Sequence, residues 1–543
     1  MCSSDLRVER PVRSTTFRVM KKSLLLGAFL AAGSMGLADL SFGHGGTYRG
    51  PGDTVPPGGA APGPGGAAPP PAGPSGPSSP GPTTPGTPAP VTPGQTPSTP
   101  TPTAPVSQQG GDTGPDLSIW DFWWGFNKEP YLNLKSHIHD GSIQTGSDDF
   151  FLGHGQQDQA KETLRPTKEQ IENVVVPALL EALNKERHND IVTGALIALA
   201  KIGDSQDESG ESRFQKEIAK FLSDSSQEIA ETAAVALGIL ADDRSVDLLV
   251  ELMNDGPAGR KAVGSTQVQL RTRAFAAYGL GLLGYRTSDN ELRKRIAEHL
   301  VDVLEAPNFA TRDIKVAAMV AFGLTKVDPV EGEVALSEDE QKSNLRWCVS
   351  RQAQLSFLLD YFDEKNQRAN KETRHWFVRS HAPRAMAMLL DGLQGEEADA
   401  IRTSCAELLI EASGERSDHS QRELQMSAAL ALGQIGTCED DGGRGINGKI
   451  RKTLIEVAGK GEQQARRFAL VSLAQIGARP GTGEKPWGGR DEIKEALTKT
   501  LGRGKVQMKP WAGLAIGVQA WDLAEAGEAL DSGTVLALRS EEH

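Results

Sequence analysis

The sequence predicts an all-α protein, a right-handed α-solenoid of helical hairpins preceded by a disordered proline-rich linker. A small-residue apolar stretch recurs from residue 194 onward, for example as SAALALGQIG (427–436) and RFALVSLAQIG (467–477). It returns about every 40 residues, the length of two helices and their connections. A separate segment, residues 51–106, contains twenty prolines and no aromatic residue. Together these features favour a helical array behind a spacer.

Residues 20–43 have the composition of a secretory signal peptide. Lys21 and Lys22 form a basic start, residues 23–32 are apolar, and Ala38 is a small residue suited to cleavage. The apolar run is too short to cross a bilayer, so we expect removal of the leader and no transmembrane segment in the mature chain. An uncleaved anchor is the alternative. The sequence therefore predicts export, to the periplasm or the cell surface.

The two ends of the chain do not fit this organisation. A signal peptide begins at a start methionine, which here is Met20. We therefore interpret residues 1–19 as a non-native extension. Residues 539–543 are interpreted as a non-native tail that cuts a further repeat short.

Two segments lie between the leader and the repeats. Residues 44–115 are predicted to be a disordered Pro/Gly/Thr-rich linker, because they offer little apolar area to bury and proline removes backbone donors. Residues 116–164 form an aromatic-rich segment, in which Trp120, Trp123 and Trp124 would share one face of a helix. We predict that this segment is an N-terminal cap that covers the first repeat. An aromatic patch that binds a partner is the alternative.

The repeats are predicted to run from residue 165 to residue 538. One large apolar residue stands at the centre of each copy, and stacking of hairpins would bury it between neighbours. Glycines that close four of the copies are expected to adopt the left-handed conformation that follows a helix. These glycines are Gly203, Gly284, Gly436 and Gly477. The central residues are Leu199, Leu237, Leu280, Phe322, Met388, Leu432, Leu473 and Leu514.

The apolar stretches resemble the second helix of HEAT repeats, in particular the phycobilin-lyase-like bacterial subtype. The resemblance rests on AALALGQIG and ALVSLAQIGA and covers about residues 168–538. With its leader and linker, the whole chain is similar to exported bacterial HEAT-repeat proteins of unknown function. That resemblance implies a HEAT-like α-solenoid, and it supplies no catalytic residues to carry over.

More residues separate Phe322 from Met388 than separate any other two successive central residues. This difference indicates an insertion at about residues 327–374. Aromatic residues concentrate in and beside it, although only 5% of the chain is aromatic. We predict that Trp347, Trp376 and Arg379 form a partner-binding surface, because aromatic and arginine side chains dominate protein interfaces. The alternative is that these rings fill the core of a longer helical pair.

Few patterns in the sequence indicate chemistry. His137 and His139 in HIHDG could ligate a metal, but no second ligand cluster matches them, and we predict no metal site. The four cysteines form no CxxC pair, and for Cys405 and Cys438 both a disulfide and simple burial remain open. We expect no catalytic residue and no cofactor. The net charge of −13 and the scattered basic residues argue against nucleic-acid binding.

These features predict an exported, non-catalytic HEAT-repeat scaffold that mediates protein–protein interaction in the bacterial envelope. The partner would be a protein or peptide, and the acidic balance of the chain favours one with basic patches. One alternative is a HEAT-like lyase or another enzyme built on the same repeats. Another is a metal-binding envelope protein that uses His137 and His139.

Overall fold

A computed structural model describes residues 120, 124, 128, 166–203, 212–307, 309–332, 334–363, 374–414, 419–442 and 445–541. Every regular element within these residues is helical. The prediction of an all-α protein is therefore confirmed. The predicted leader, the linker, Trp123, His137 and His139 lie outside the described residues.

The first four hairpins each pair a first helix with a second helix packed against it. The first hairpin consists of α1 (Lys168–Gln170), a π-helical turn (Ile171–Val175), α2 (Val176–Lys185) and α3 (Asn189–Ile202). The second consists of α4 (Arg213–Ala219), a 3-10 turn (Lys220–Ser223) and α5 (Gln227–Leu240). The third contains α6 (Ser245–Asn254), the short α7 (Pro257–Ala262) and α8 (Leu270–Arg286). The fourth is α9 (Asn290–Glu305) with α10 (Arg312–Leu324).

Four further hairpins follow. The fifth contains α11 (Glu338–Lys342), a 3-10 turn (Asn344–Trp347), α12 (Arg351–Phe362), α13 (Trp376–Arg379) and α14 (Ala382–Leu390). The sixth is α15 (Glu396–Ala412) with α16 (His419–Ile435), and the seventh is α17 (Ile446–Lys460) with α18 (Gln463–Gly477). The eighth is α19 (Arg490–Arg503) with α20 (Lys509–Glu525). Helix α21 (Ser532–Glu541) follows and packs against α19.

Thr167 is the N-terminal cap of the first hairpin. Its hydroxyl accepts a hydrogen bond from the backbone N–H of Gln170 at 3.1 Å, and the Gln170 side chain accepts one from the Thr167 N–H at 2.8 Å. This reciprocal pair satisfies two backbone donors that the first turn of a helix leaves open.

The second helices form one continuous row, in which each packs against the second helix of the next hairpin. The predicted central residues lie in this row. Leu199, Leu237 and Leu432 are fully buried, whereas Leu514 in the last hairpin is only half-buried. Burial of these side chains between hairpins is the main favourable contribution to the fold, since no single hairpin can cover its own apolar face.

Glycines set the closest approaches between neighbouring second helices. In four hairpins the residue directly after the central position is glycine, and a Cβ atom there would lie closer than 3.0 Å to the next second helix. The apolar pattern of one repeat does not by itself distinguish these glycines. They face the following residues: Gly238 faces Gly279, Gly281 faces Ala321, Gly323 faces Ala385, and Gly433 faces Ser472.

These contacts correct the central residue of the fifth hairpin. Gly238, Gly281 and Gly433 each face the residue that precedes the next central position, whereas Gly323 faces Ala385. The residue after Ala385 is Met386, which is fully buried, so Met386 and not Met388 occupies the central position. The choice of Met388 was wrong by two residues, because both methionines fit an apolar pattern equally well.

The predicted conformation of the closing glycines was correct only in part. Gly203 has a positive φ of 79°, whereas Gly284, Gly436 and Gly477 are not among the glycines with positive φ. A side chain at any of these three would meet a neighbouring side chain closer than 3.0 Å, such as Thr325 beside Gly284. Close packing between hairpins, rather than backbone freedom, therefore accounts for three of the four.

Basic side chains cap the first helices from within the same hairpin. Arg273 donates to the carbonyl of Met253 at 2.9 Å, and Lys315 donates to the carbonyl of Leu304 at 2.9 Å. Arg466 does the same at Ala458 (3.1 Å). All three are the fourth residue of a second helix. A cation here satisfies carbonyls that the helix end leaves open and opposes its negative pole.

Candidate partner-binding site

The predicted insertion is not a separate module. Helix α12, which lies inside it, is the first helix of the fifth hairpin and packs against α14. The additional residues form the connections before and after α12. More residues separate Phe322 from the fifth central residue than separate other neighbouring central residues, but part of that length is the hairpin itself.

Most of the aromatic residues of this region form the core of the fifth hairpin. The rings of Phe322 and Phe357 have centroids 5.4 Å apart, and those of Phe357 and Tyr361 are 5.6 Å apart. All three side chains are buried. Trp347 is half-buried, and its ring lies 5.7 Å from that of Phe357. Trp347 therefore packs against this core from the side of the 3-10 turn.

Arg379 also contacts α12. Its guanidinium donates to the carbonyl oxygen of Phe362 and lies over the Phe362 ring. Nearby, Arg374 pairs with Glu305 at 3.1 Å and with Asp360 at 2.8 Å. The structure thus places Trp347 and Arg379 against the first helix of the hairpin.

Trp376 occupies a different place, in the second helix. That helix is interrupted, since α13 ends at Arg379 and α14 begins at Ala382 with Pro383 in its first turn. Proline lacks the N–H that would continue the helical hydrogen bonds. The separate turn α13 packs against both α10 and α16, and Trp376 is its first residue and half-buried.

The rings around Trp376 are aromatic and uncharged. Its centroid lies 5.4 Å from that of His375 and 5.6 Å from that of Phe377. Burial lowers the pKa of His375, and the charge of Arg312 lowers it further. Burial lowers the pKa of His381 to about 3, so this imidazole is neutral at pH 7.

The positive charge of Arg312 lies beside these rings. The Arg312 guanidinium lies 5.9 Å from the ring centroid of Phe377, a cation–π contact. Burial raises the pKa of Asp313, and Arg312 partly opposes that effect. The surroundings of Trp376 therefore combine exposed positive charge with aromatic surface.

Trp120 and Trp124, from the predicted cap, are half-buried and pack against the hydrophobic core. The backbone N–H of Lys128 donates to the carbonyl of Trp124 at 3.0 Å. The assignment of residues 116–164 as a cap stays a prediction. The role of the segment in partner binding stays a prediction.

The described cysteines do not form disulfides. Cys348, Cys405 and Cys438 are free and buried. Burial raises the pKa of Cys405 to about 12 and that of Cys438 to about 11. At neutral pH these thiols are protonated and therefore weak nucleophiles.

Within the described part of the chain, no group of three or more His, Cys, Asp or Glu side chains could hold a metal ion. No helix found there is long and apolar enough to cross a membrane.

A family model described as HEAT repeats matches residues 176–265, which span α2 to the start of the loop after α7. A comparison with curated proteins gave no significant match. Among solved structures, an engineered protein is 18% identical, with 68% of this chain and 98% of that chain covered and a TM-score of 0.27.

Two natural proteins are also similar. Human deoxyhypusine hydroxylase, in a complex with glycerol, is 17% identical over 65% of this chain and 99% of that chain, with a TM-score of 0.24. Importin beta is 12% identical over 75% of this chain and 66% of that chain, with a TM-score of 0.22. The match at 176–265 falls on hairpins whose pattern recurs along the second-helix row, and this part of the chain consists of HEAT repeats.

Proposed function

We propose that the protein is an exported, non-catalytic HEAT-repeat scaffold that binds a protein or peptide partner in the bacterial envelope. Its leader-like residues 20–43 support export, and its linker would hold the array away from an N-terminal attachment point. The raised pKa values of Cys405 and Cys438 support a role other than thiol chemistry.

The observation that carries this proposal is the interruption of the second helix of the fifth hairpin. A repeat array is a set of similar units, so a departure from the pattern marks a place where selection has required something else. Here the departure places Trp376 between α10 and α16 with part of its surface exposed. Half-exposed tryptophan is typical of the residues that dominate binding energy at interfaces.

Replacing Trp376 by alanine should weaken partner binding by about 2 kcal/mol or more and leave the melting temperature nearly unchanged. The partner would first be captured from the envelope fraction by cross-linking, identified by mass spectrometry and purified. Isothermal titration calorimetry with the full chain would then give the affinity of each variant.

Trp521 is a matched control, because it is also a half-buried tryptophan on a second helix, in the eighth hairpin. Trp521→Ala should leave the affinity unchanged. If Trp376→Ala lowered the melting temperature by many degrees and bound the partner normally, this tryptophan would be a core residue and the proposal would be wrong.

A further inference from the structure

Four successive second helices carry exposed or half-exposed side chains at the same position, ten residues before the central residue. We call Leu270, Arg312, Trp376 and Arg422 the edge row. Leu270, Arg312 and Trp376 are the first residues of α8, α10 and α13, and Arg422 lies in the first turn of α16. Leu270 is 46% exposed, both arginines are exposed, and Trp376 is half-buried.

The two arginines of the edge row flank Trp376 and have no ionic partner among the described residues. Arg312 makes a cation–π contact with Phe377, and Arg422 is exposed on α16. Arg271 differs from them, because its guanidinium pairs with Glu231 at 2.9 Å. Within the described part of the chain, Arg312 and Arg422 are therefore available to pair with a ligand.

An acidic residue follows each arginine in the chain, and neither acidic side chain is fully exposed. Asp313 and Glu423 are the next residues in the chain, and both are half-buried. Burial raises the pKa of Asp313, which disfavours its charged form. The exposed charged side chains of the edge row are the two arginines, although the chain as a whole carries −13.

Two of the helix ends beneath the row add to this positive character. Gln269 and Thr311 precede α8 and α10, and neither side chain caps the first turn. The N–H groups of an uncapped first turn and the positive pole of the helix both favour an anion nearby.

We propose that the edge row binds an extended acidic segment of the partner protein, a proposal that rests on the binding function above. Two carboxylates of the segment would pair with Arg312 and Arg422, and an apolar side chain between them would cover Trp376. Arginine and carboxylate form short, bidentate hydrogen bonds. This ligand is acidic, whereas the negative net charge of the whole chain favours a partner with basic patches.

The distance between Arg312 and Arg422 sets the distance between the two ligand carboxylates that would pair with them. Packed helices lie about 8–10 Å apart, so the helices of Arg312 and Arg422, which have α13 between them, are about 16–20 Å apart. An extended chain advances about 3.3 Å per residue. The two carboxylates should therefore be about five or six residues apart, with the apolar residue near the middle.

Labelled 15-residue peptides test this proposal by fluorescence anisotropy with the full chain. Each peptide has a Gly/Ser background, a central leucine and two glutamates whose separation varies from two to nine residues. A second set carries lysine in place of glutamate. We expect the glutamate set to bind best at a separation of five or six residues and the lysine set not to bind.

Charge reversal at Arg312 and Arg422 together (R312E, R422E) should weaken this binding at least about 10-fold. The milder pair R312Q and R422Q should weaken it in the same direction, and circular dichroism would check that each variant is folded. Arg503 is exposed at the end of α19, so R503E is the matched control and should change nothing.

The outcomes separate the two proposals. Glutamate peptides that bind the reversed variant as well as the unchanged protein would overturn the acidic-segment proposal and leave the binding function standing. Equal binding of the lysine peptides, or of a single-stranded oligonucleotide, would overturn it too, because the row would then lack the stated selectivity. No binding of any peptide, together with failure to capture a partner, would contradict both proposals.

Discussion

Replacing Leu432 by aspartate is expected to lower the free energy of unfolding by about 4 kcal/mol or more. Leu432 is fully buried in α16, between the second helices of the fifth and seventh hairpins. A carboxylate there would lose its hydration and find no cation among the surrounding apolar side chains. The cavity left by the smaller side chain adds to that cost.

Gln434→Asp is the matched control for this change. Gln434 lies in the same helix, two residues further on, and its side chain is exposed. The substitution introduces the same charge, but on an exposed side chain. It should therefore change the free energy of unfolding by about 0.5 kcal/mol or less. Urea denaturation of the full chain, followed by circular dichroism, gives both values. A small loss for Leu432→Asp would mean that Leu432 is not at the interface between hairpins.

Replacing Gly238 by alanine should lower the free energy of unfolding by about 1–3 kcal/mol, although alanine is the better helix former. A Cβ at Gly238 would lie closer than 3.0 Å to the backbone of Gly279. Backbone atoms cannot rotate away, so α5 and α8 would have to separate. Hydrogen exchange should then become faster in these two helices.

The same substitution at Gly194 should have the opposite effect. Gly194 lies within α3, and a Cβ there would meet no atom within 4 Å. Gly194→Ala should therefore raise stability by up to about 1 kcal/mol through helix propensity alone. Equal shifts in the same direction for Gly238→Ala and Gly194→Ala would show that the second helices are not in close contact at Gly238.

The sequence predicts the helical hairpins well because burial between repeats imposes a period on apolar residues. Leu237, Leu280 and Leu473 could be placed at central positions from spacing alone, and all three are buried. Spacing fails where a repeat changes length. In the fifth hairpin Met386 and Met388 are both apolar, and only the contact between Gly323 and Ala385 distinguishes them.

Contacts between neighbouring hairpins are harder to predict than the hairpins themselves. Gly284 and Gly477 close an apolar stretch, as a helix-ending glycine does, but their role is to admit Thr325 and Gln519 from the next hairpin. The signal that could have revealed the packing glycines is their fixed place directly after the central residue. This position is not apparent in one repeat, whereas an alignment of the repeats on their central residues shows it.

The candidate site was predicted only in outline. Aromatic enrichment located the fifth hairpin, but composition does not distinguish a ring in the core from a ring at the surface. Phe357 and Tyr361 are buried, whereas Trp376 keeps part of its surface exposed beside Arg312. Arg312, Trp376 and Arg422 are seen to occupy the same position in their repeats only after the fifth hairpin is aligned on Met386.

Hydrogen exchange of the full chain with and without the purified partner tests the central claim most directly. First-turn amides of a helix have no hydrogen-bond acceptor within that helix and exchange quickly, so a ligand that covers them slows their exchange. We predict slower exchange at the first turns of α10, α13 and α16 when the partner binds. Protection confined to first helices such as α9 and α15, with these turns unchanged, would contradict the claim that the partner binds at the interrupted second helix.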